Sequence, residues 1–275
     1  MALTQLNLIR IILSGSISLG LYLIMGYSNV QSQPINSTDN KQVKSVEFNP
    51  PQASDEEADF ENDDQPRTRK AGAGRDECPE VDVPLTALFP VTALDPNMPM
   101  RTVLERPRFL FYVPYTSNNV HRLEFILQDS QENEIDEQSF ASPEKPGIIQ
   151  VNLSSDAILQ LNEQYHWFLK IYCDSQDPKQ YVFVEADVER IVMTNDLEND
   201  LVANEPKKYM AYAKYGIWYD AIANLAELRD REPENMQFQE DWMALLEDED
   251  VDLSSIAEQY LLDCCTNHHT REQNN

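Results

Sequence analysis

Glycine is scarce in this chain, seven residues among 275, and that limits the chemistry its loops can host. A loop that cradles phosphate needs closely spaced glycines between a strand and a helix. The one candidate, AGAGR with Gly72 and Gly74, has neither flank. Positive charge is also short: 21 Lys and Arg stand against 48 Asp and Glu, for a formal net charge of -27. A surface that acidic repels the phosphates of nucleic acids and of anionic lipids, so neither is expected as a partner. No HExxH pair, serine elbow or paired metal motif accompanies His121 and His166. No catalytic residue is assigned, and no cofactor is expected.

What is present begins with a different substance. Ile11 to Tyr27 runs without a charge, behind a short start carrying Arg10 and ahead of SNVQS. A basic start, an apolar middle and a small-residue exit describe a secretory signal peptide over 1–32, cleaved after Ser32. The alternative is an uncleaved inner-membrane anchor, since the stretch is nearly long enough to span a bilayer. Residues 33–75 lack apolar periodicity and hold an acidic block, SDEEADFENDD, then a basic one, RTRK. They read as a disordered tether, because such composition cannot bury enough apolar surface to offset chain entropy.

From 76 to 196 the period is two. QYHWFLKIYC sets Tyr165, Trp167, Leu169, Ile171 and Cys173 against His166, Phe168, Lys170 and Tyr172. RFLFYVPY, RLEFILQ, GIIQVNL and QYVFVEADVERIV supply further strands, with polar turns such as DSQENE between them. This pattern predicts an antiparallel β-sandwich. Over 197–263 the period becomes 3.6. Trp218, Ala221, Ile222, Leu225 and Leu228 form one stripe, and Asp220, Asn224, Glu227 and Arg231 the opposite one. Phe238, Trp242, Leu245 and Leu246 predict a further helix. Leu253, Ile256, Ala257, Tyr260 and Leu261 predict another behind an Asp252 N-cap. The fold class is therefore α+β, mostly β, with a helical annex packed on the sheets and a flexible tail over 264–275.

Gly216, Trp218, Ala221, Ile222, Pro233 and Asn235 stand at offsets similar to the second helix and exit turn of a tetratricopeptide repeat. About one repeat is visible, so the segment resembles a fragment of that motif and not an array. Its expected core is Gly216, Trp218, Ala221, Ile222, Leu225 and Trp242. On a larger scale, DECPEVDVPLTALFPVT, ERPRFLFYVPY, EFILQD, PGIIQVNL, YHWFLKIYCD and YGIWYDAIANLAELR followed by Pro233, Trp242 and Leu245–Leu246 resemble the cyanobacterial domain of unknown function 928 family, over about Cys78 to Leu262. That resemblance implies an exported protein of unassigned activity and carries no catalytic residue.

In an exported protein Cys78 and Cys173 are candidates for a disulfide, with two buried thiols as the alternative. In the tail, Cys264 with His268 and Cys265 with His269 fall at i,i+4 and are weak candidates for a soft-metal site. Adjacent cysteines suit usual zinc spacing poorly. LEDEDVD, residues 246 to 252, lacks the central glycine of a calcium loop and reads as a solvated helix exit. The expected function is non-catalytic: a binding or scaffolding module, periplasmic or secreted, with an unknown protein partner. Membrane contact is expected only through an uncleaved N-terminal segment. Two rivals remain. One is a secreted hydrolase using Asp220 with Tyr219 and His166 at the sandwich–helix junction; the other is a carbohydrate-binding protein using strand aromatics.

Overall fold

The computed structural model describes residues 46–50, 68–71, 78–90 and 98–263. All lie in the unit Lys44–Asn275; the other unit, Met1–Val43, falls outside the described residues. The expected signal peptide and its cleavage point at Ser32, and the tail with Cys264, Cys265, His268 and His269, also fall outside them.

Among the described residues, eight strands form two sheets: β1 (Thr86–Ala87), β2 (Met100–Thr102), β3 (Arg108–Val113), β4 (Arg122–Asp129), β5 (Glu134–Ala141), β6 (Gly147–Asn152), β7 (Gln164–Tyr172) and β8 (Tyr181–Arg190). One sheet has the order β1-β3-β6 and the other β2-β8-β7-β4-β5. The alternation in β7 partitions its side chains: Tyr165, Trp167, Leu169 and Ile171 are buried, whereas His166, Phe168 and Lys170 are half-exposed. The run RFLFYV in β3 has no polar alternation after Arg108, and all five apolar residues are buried. Rings from the two sheets meet, with Phe109 5.2 Å from Phe125 and Phe111 5.3 Å from Trp167.

Four α-helices follow among the described residues: α1 (Asn195–Ala203), α2 (Lys208–Lys214), α3 (Trp218–Arg231) and α4 (Met236–Glu247). Thr194 caps α1 by accepting from the Leu197 N–H, and Asn235 caps α4 by accepting from Gln237. Between α2 and α3 the chain reverses at Gly216, where φ is 69°. The Gly216 N–H donates to Ala213 and that of Ile217 to Tyr212, the paired bonds of a Schellman turn. A left-handed residue is needed there, and glycine adopts that conformation without a Cβ clash. Among the described residues no helix is long and apolar enough to cross a membrane.

Four expectations need correction. First, the segment read as a disordered tether enters the core at two places. Val46 and Phe48 are buried, and Phe48 lies edge-on to Trp218 at 5.0 Å. Thr68 pairs with Glu185 of β8 and Lys70 with Thr86 of β1, so residues 68–71 stitch the two sheets along one side. Each stretch is too short for a periodicity to register, yet open strand edges and an aromatic gap offer it partners. Second, β2 pairs with β8 in parallel, so the five-stranded sheet is mixed.

Third, the last apolar stretch forms only a 3-10 turn at Ser254–Ile256 and then runs along β6. Ile148 donates to the Tyr260 carbonyl and accepts from the Leu262 N–H. Covering the open β6 edge satisfies backbone groups that a marginal short helix would leave exposed. Fourth, Arg69 is not part of a solvated linker. Arg69 is buried, and its guanidinium donates to the carbonyls of Phe89, Val251 and Asp252 and to the Asp252 carboxylate. Asp252 sits at φ 49° and does not cap a helix. Arg69 and Asp252 thus link the two segments across the fold.

Candidate functional site

The Schellman turn at Gly216 delivers Trp218, Tyr219 and Asp220 together into the interior as the first turn of α3. Trp218 donates its indole N–H to the Leu88 carbonyl at 2.6 Å. The Tyr219 hydroxyl accepts from the Trp167 indole at 2.8 Å, and its ring stands 5.0 Å from Phe109. Both aromatics are core. Ala221, Ile222, Leu225 and Trp242 are buried with them, as is Gly216.

Asp220, on the polar stripe of α3, is only 2% exposed. It faces β2, which packs along that side of the helix. Its carboxylate accepts from the Thr102 hydroxyl at 2.7 Å and the Val103 N–H at 2.9 Å. Burial raises its pKa from 3.8 to about 6, while the Val103 and Thr102 hydrogen bonds and the Arg108 charge hold it from going further.

The rest of that polar stripe lines a cleft of about 310 Å³ between α3, the loop into α2, and Leu104 and Arg108. Asn224, Glu227 and Arg231 follow Asp220 along the same helix face. Glu227 takes Arg108 on one oxygen at 2.9 Å and Arg231 on the other at 3.4 Å. Burial opposes its charge, yet the Arg108 guanidinium and then Arg231 hold its carboxyl below the usual range. At the rim Lys208 pairs with Glu205 at 2.6 Å. Tyr212 forms part of the wall and is 7% exposed. Burial, followed by the Asp220 charge, pushes its phenol up to about 12, so it stays protonated.

A second charged centre lies across the five-stranded sheet. His166 sits between Asp187, 2.8 Å from Nδ1, and Glu185, 3.2 Å from Nε2, with its ring 4.5 Å from Phe168. Burial opposes its charge, but the two carboxylates outweigh burial and raise its pKa to about 9. The imidazole is therefore a cation at neutral pH. At the other end of β7, Arg122 stacks 3.9 Å above Tyr172, whose hydroxyl donates to Glu124 at 2.7 Å. The rings along this face are tilted, by 48° between Tyr172 and Tyr181 and 54° between Tyr181 and Phe183.

The hydrolase set is thus not brought together. Tyr219 contacts Trp167 on the inner face of β7, and His166, one residue away, points outward. Cys78 and Cys173 are joined by a disulfide with 5.4 Å between their Cα atoms, tying the entry to β1 to the end of β7. Among the described residues no group of His, Cys, Asp and Glu could hold a metal ion. Reading by pattern missed Arg108, Tyr212, Lys208 and Glu205 as cleft residues. The i, i+4, i+7, i+11 stripe on α3 was visible, but nothing local shows which elements rise on either side of it.

No curated protein and no solved structure matches the chain. The family model described as Domain of Unknown Function (DUF928) matches residues 70–261, most of the sequence, and the chain belongs to that family.

Proposed function

We propose that the chain is an exported, non-catalytic binding module whose partner is a protein of the export compartment. One observation carries the reading: Asp220, Tyr219 and His166, the groups a hydrolase at this junction would use, are each engaged by protein partners and do not face one space. Asp220 spends both oxygens on Thr102 and Val103. His166 is held as a cation by Glu185 and Asp187 on the far face of the sheet. Tyr219 accepts from Trp167 in the core. An enzyme would need a base and a reacting atom in one cleft.

The same proposal takes the two sheets as an antiparallel-dominated sandwich, with α2 and α3 as a single hairpin similar to one tetratricopeptide unit. Aromatic contacts between the sheets support the first part, and the Gly216 turn supports the second. The disulfide favours an oxidising compartment, in keeping with a cleaved signal over 1–32. A flat sugar platform finds little support in rings tilted by 48° and 54°.

The test is affinity capture with the full chain as bait, from periplasmic and culture-medium fractions, alongside a glycan array. The expected result is one protein recovered reproducibly and lost under an excess of untagged chain. Glycan retention without any such protein would overturn the reading.

A further inference from the structure

Residues 46–50 lie on the core as a bound peptide would. They belong to neither sheet, and their side chains alternate: Val46 and Phe48 are buried, Glu47 and Asn49 exposed. Phe48 enters edge-on to Trp218 at 5.0 Å, against the first turn of α3. One residue on, the Asn49 N–H donates to the Ala213 carbonyl at 3.1 Å, and its side-chain amide donates to that of Lys214 at 3.2 Å. Both carbonyls belong to the last turn of α2, where a helix lacks donors of its own. The seat therefore has an apolar part at Trp218 that takes a ring and a polar part at the α2 end that takes an amide.

This arm is anchored far more lightly than the segment that follows it. Among the described residues its hydrogen bonds all come from Asn49. Over 68–71, Thr68 exchanges both backbone bonds with Glu185, Ala71 donates to Leu85, and Ala87 donates to Arg69. The buried Arg69 guanidinium adds the carbonyls of Phe89, Val251 and Asp252. The arm can thus leave while 68–71 keeps the two sheets joined. Cleavage after Ser32, as proposed above, would put it close to a free chain end, so that its release breaks no closed loop.

We propose that Val46–Asn49 fills, in cis, a docking groove for an extended segment of a partner protein. That segment carries a branched apolar residue, an aromatic two positions on, and an amide side chain directly after it. The seated arm displays this chemistry, with alternate residues inward as an extended chain places them. The partner enters by displacing the arm, which acts as an internal competitor. The inference names the segment recognised by the protein-binding module proposed above and rests on that reading.

The experiment uses the full chain and a fluorescein-labelled peptide, SVEFNP, which repeats residues 45–50, read by anisotropy. The peptide should bind the Phe48→Ala chain saturably and the native chain at least about tenfold more weakly, since the native arm already fills the groove. The same peptide with alanine in place of phenylalanine should not bind. Equal affinity for the two chains, no binding to either, or a scrambled peptide that binds as well, overturns the proposal. So does a native dimer that dissociates on Phe48→Ala, which gives the groove to the arm of a second copy. Should Phe48→Ala fail to fold, hydrogen exchange of the native chain decides. The Asn49 N–H should exchange at least about tenfold faster than the Ala87 N–H, which is held by Arg69. Equal protection of the two means that the arm leaves only on global unfolding, and the proposal falls. The peptide is assayed without any cellular protein, so its failure leaves the protein-partner reading standing, and a failed capture leaves the groove standing.

Discussion

Trp167 and His166 are neighbours in sequence and opposites in surroundings. Trp167 faces inward and meets a neutral acceptor, the Tyr219 hydroxyl, in a region closed by Phe109, Phe111 and Phe89. His166 faces outward and meets two carboxylates in a half-wet setting. The α3 side of the sheet is thus built by exclusion of water with single hydrogen bonds, and the outer side by mutual neutralisation of charge. Asp220 sharpens the contrast. It is a dry carboxylate held by two neutral donors, whereas Glu185 and Asp187 share a cation. Its pKa rises because ionisation is costly, and that of His166 rises because ionisation is favoured.

The largest expected effect tests the dry side. Trp218→Ala should cost about 3 to 5 kcal/mol, against about 1 kcal/mol for the half-exposed Phe168→Ala, in urea unfolding. Equal costs for the two would erase the distinction between the faces.

Next come the two charged centres, read through pH. Between about pH 6.5 and 9 the folded chain keeps a proton on His166 that the unfolded chain has released. Stability should therefore fall as pH rises through that window, by on the order of 3 kcal/mol from this group. His166→Gln should flatten the profile there. For Asp220 the sign is the same in a lower window: from about pH 4 to 6 the folded state binds the extra proton, so its contribution worsens as pH rises. Glu124 and Glu227, whose pKa values are lowered, act oppositely in acid, so the useful quantity is wild type minus Asp220→Asn. A difference that does not change with pH would show that Asp220 is not strained by burial.

A double-mutant cycle between Asp220→Asn and Thr102→Val should give a coupling of about 1 to 2 kcal/mol, since the bond links a carboxylate to a buried hydroxyl. Additive costs would make the clasp between α3 and β2 incidental. The smallest effect belongs to the rim: Arg231 and Glu227 are 61% and 41% exposed, so Arg231→Ala should change stability by no more than about 0.5 kcal/mol. A larger loss would mean that the cleft cations support the fold itself.

Much of the fold was legible where a single element carried a repeating signal over many residues. The β7 alternation, the α3 stripe, and Gly216 followed by Trp218 all correspond to elements in the structure. Failures cluster in short segments whose conformation depends on a distant partner. Residues 46–50 and 68–71 hold too few apolar positions to register, and Tyr260–Leu262 carried a helical spacing that the β6 edge overrode. The candidate site was half legible. Its floor lay on the α3 stripe, but burial of Asp220 follows from β2 arriving 118 residues away in sequence at Thr102.

Local physics, read residue by residue, determined the alternation of strands, the amphipathic helices, the acid excess and the cysteine pair available for crosslinking. Each follows from steric preference or composition within a short window, where neighbours along the chain are also neighbours in space. Only the tertiary structure decided that Arg69 clasps Asp252, that Asp220 is dry, and that Tyr212, Asn224 and Arg108 line one cleft. Those outcomes depend on which surfaces exclude water from which groups, and solvent exclusion is a property of the packed assembly of segments.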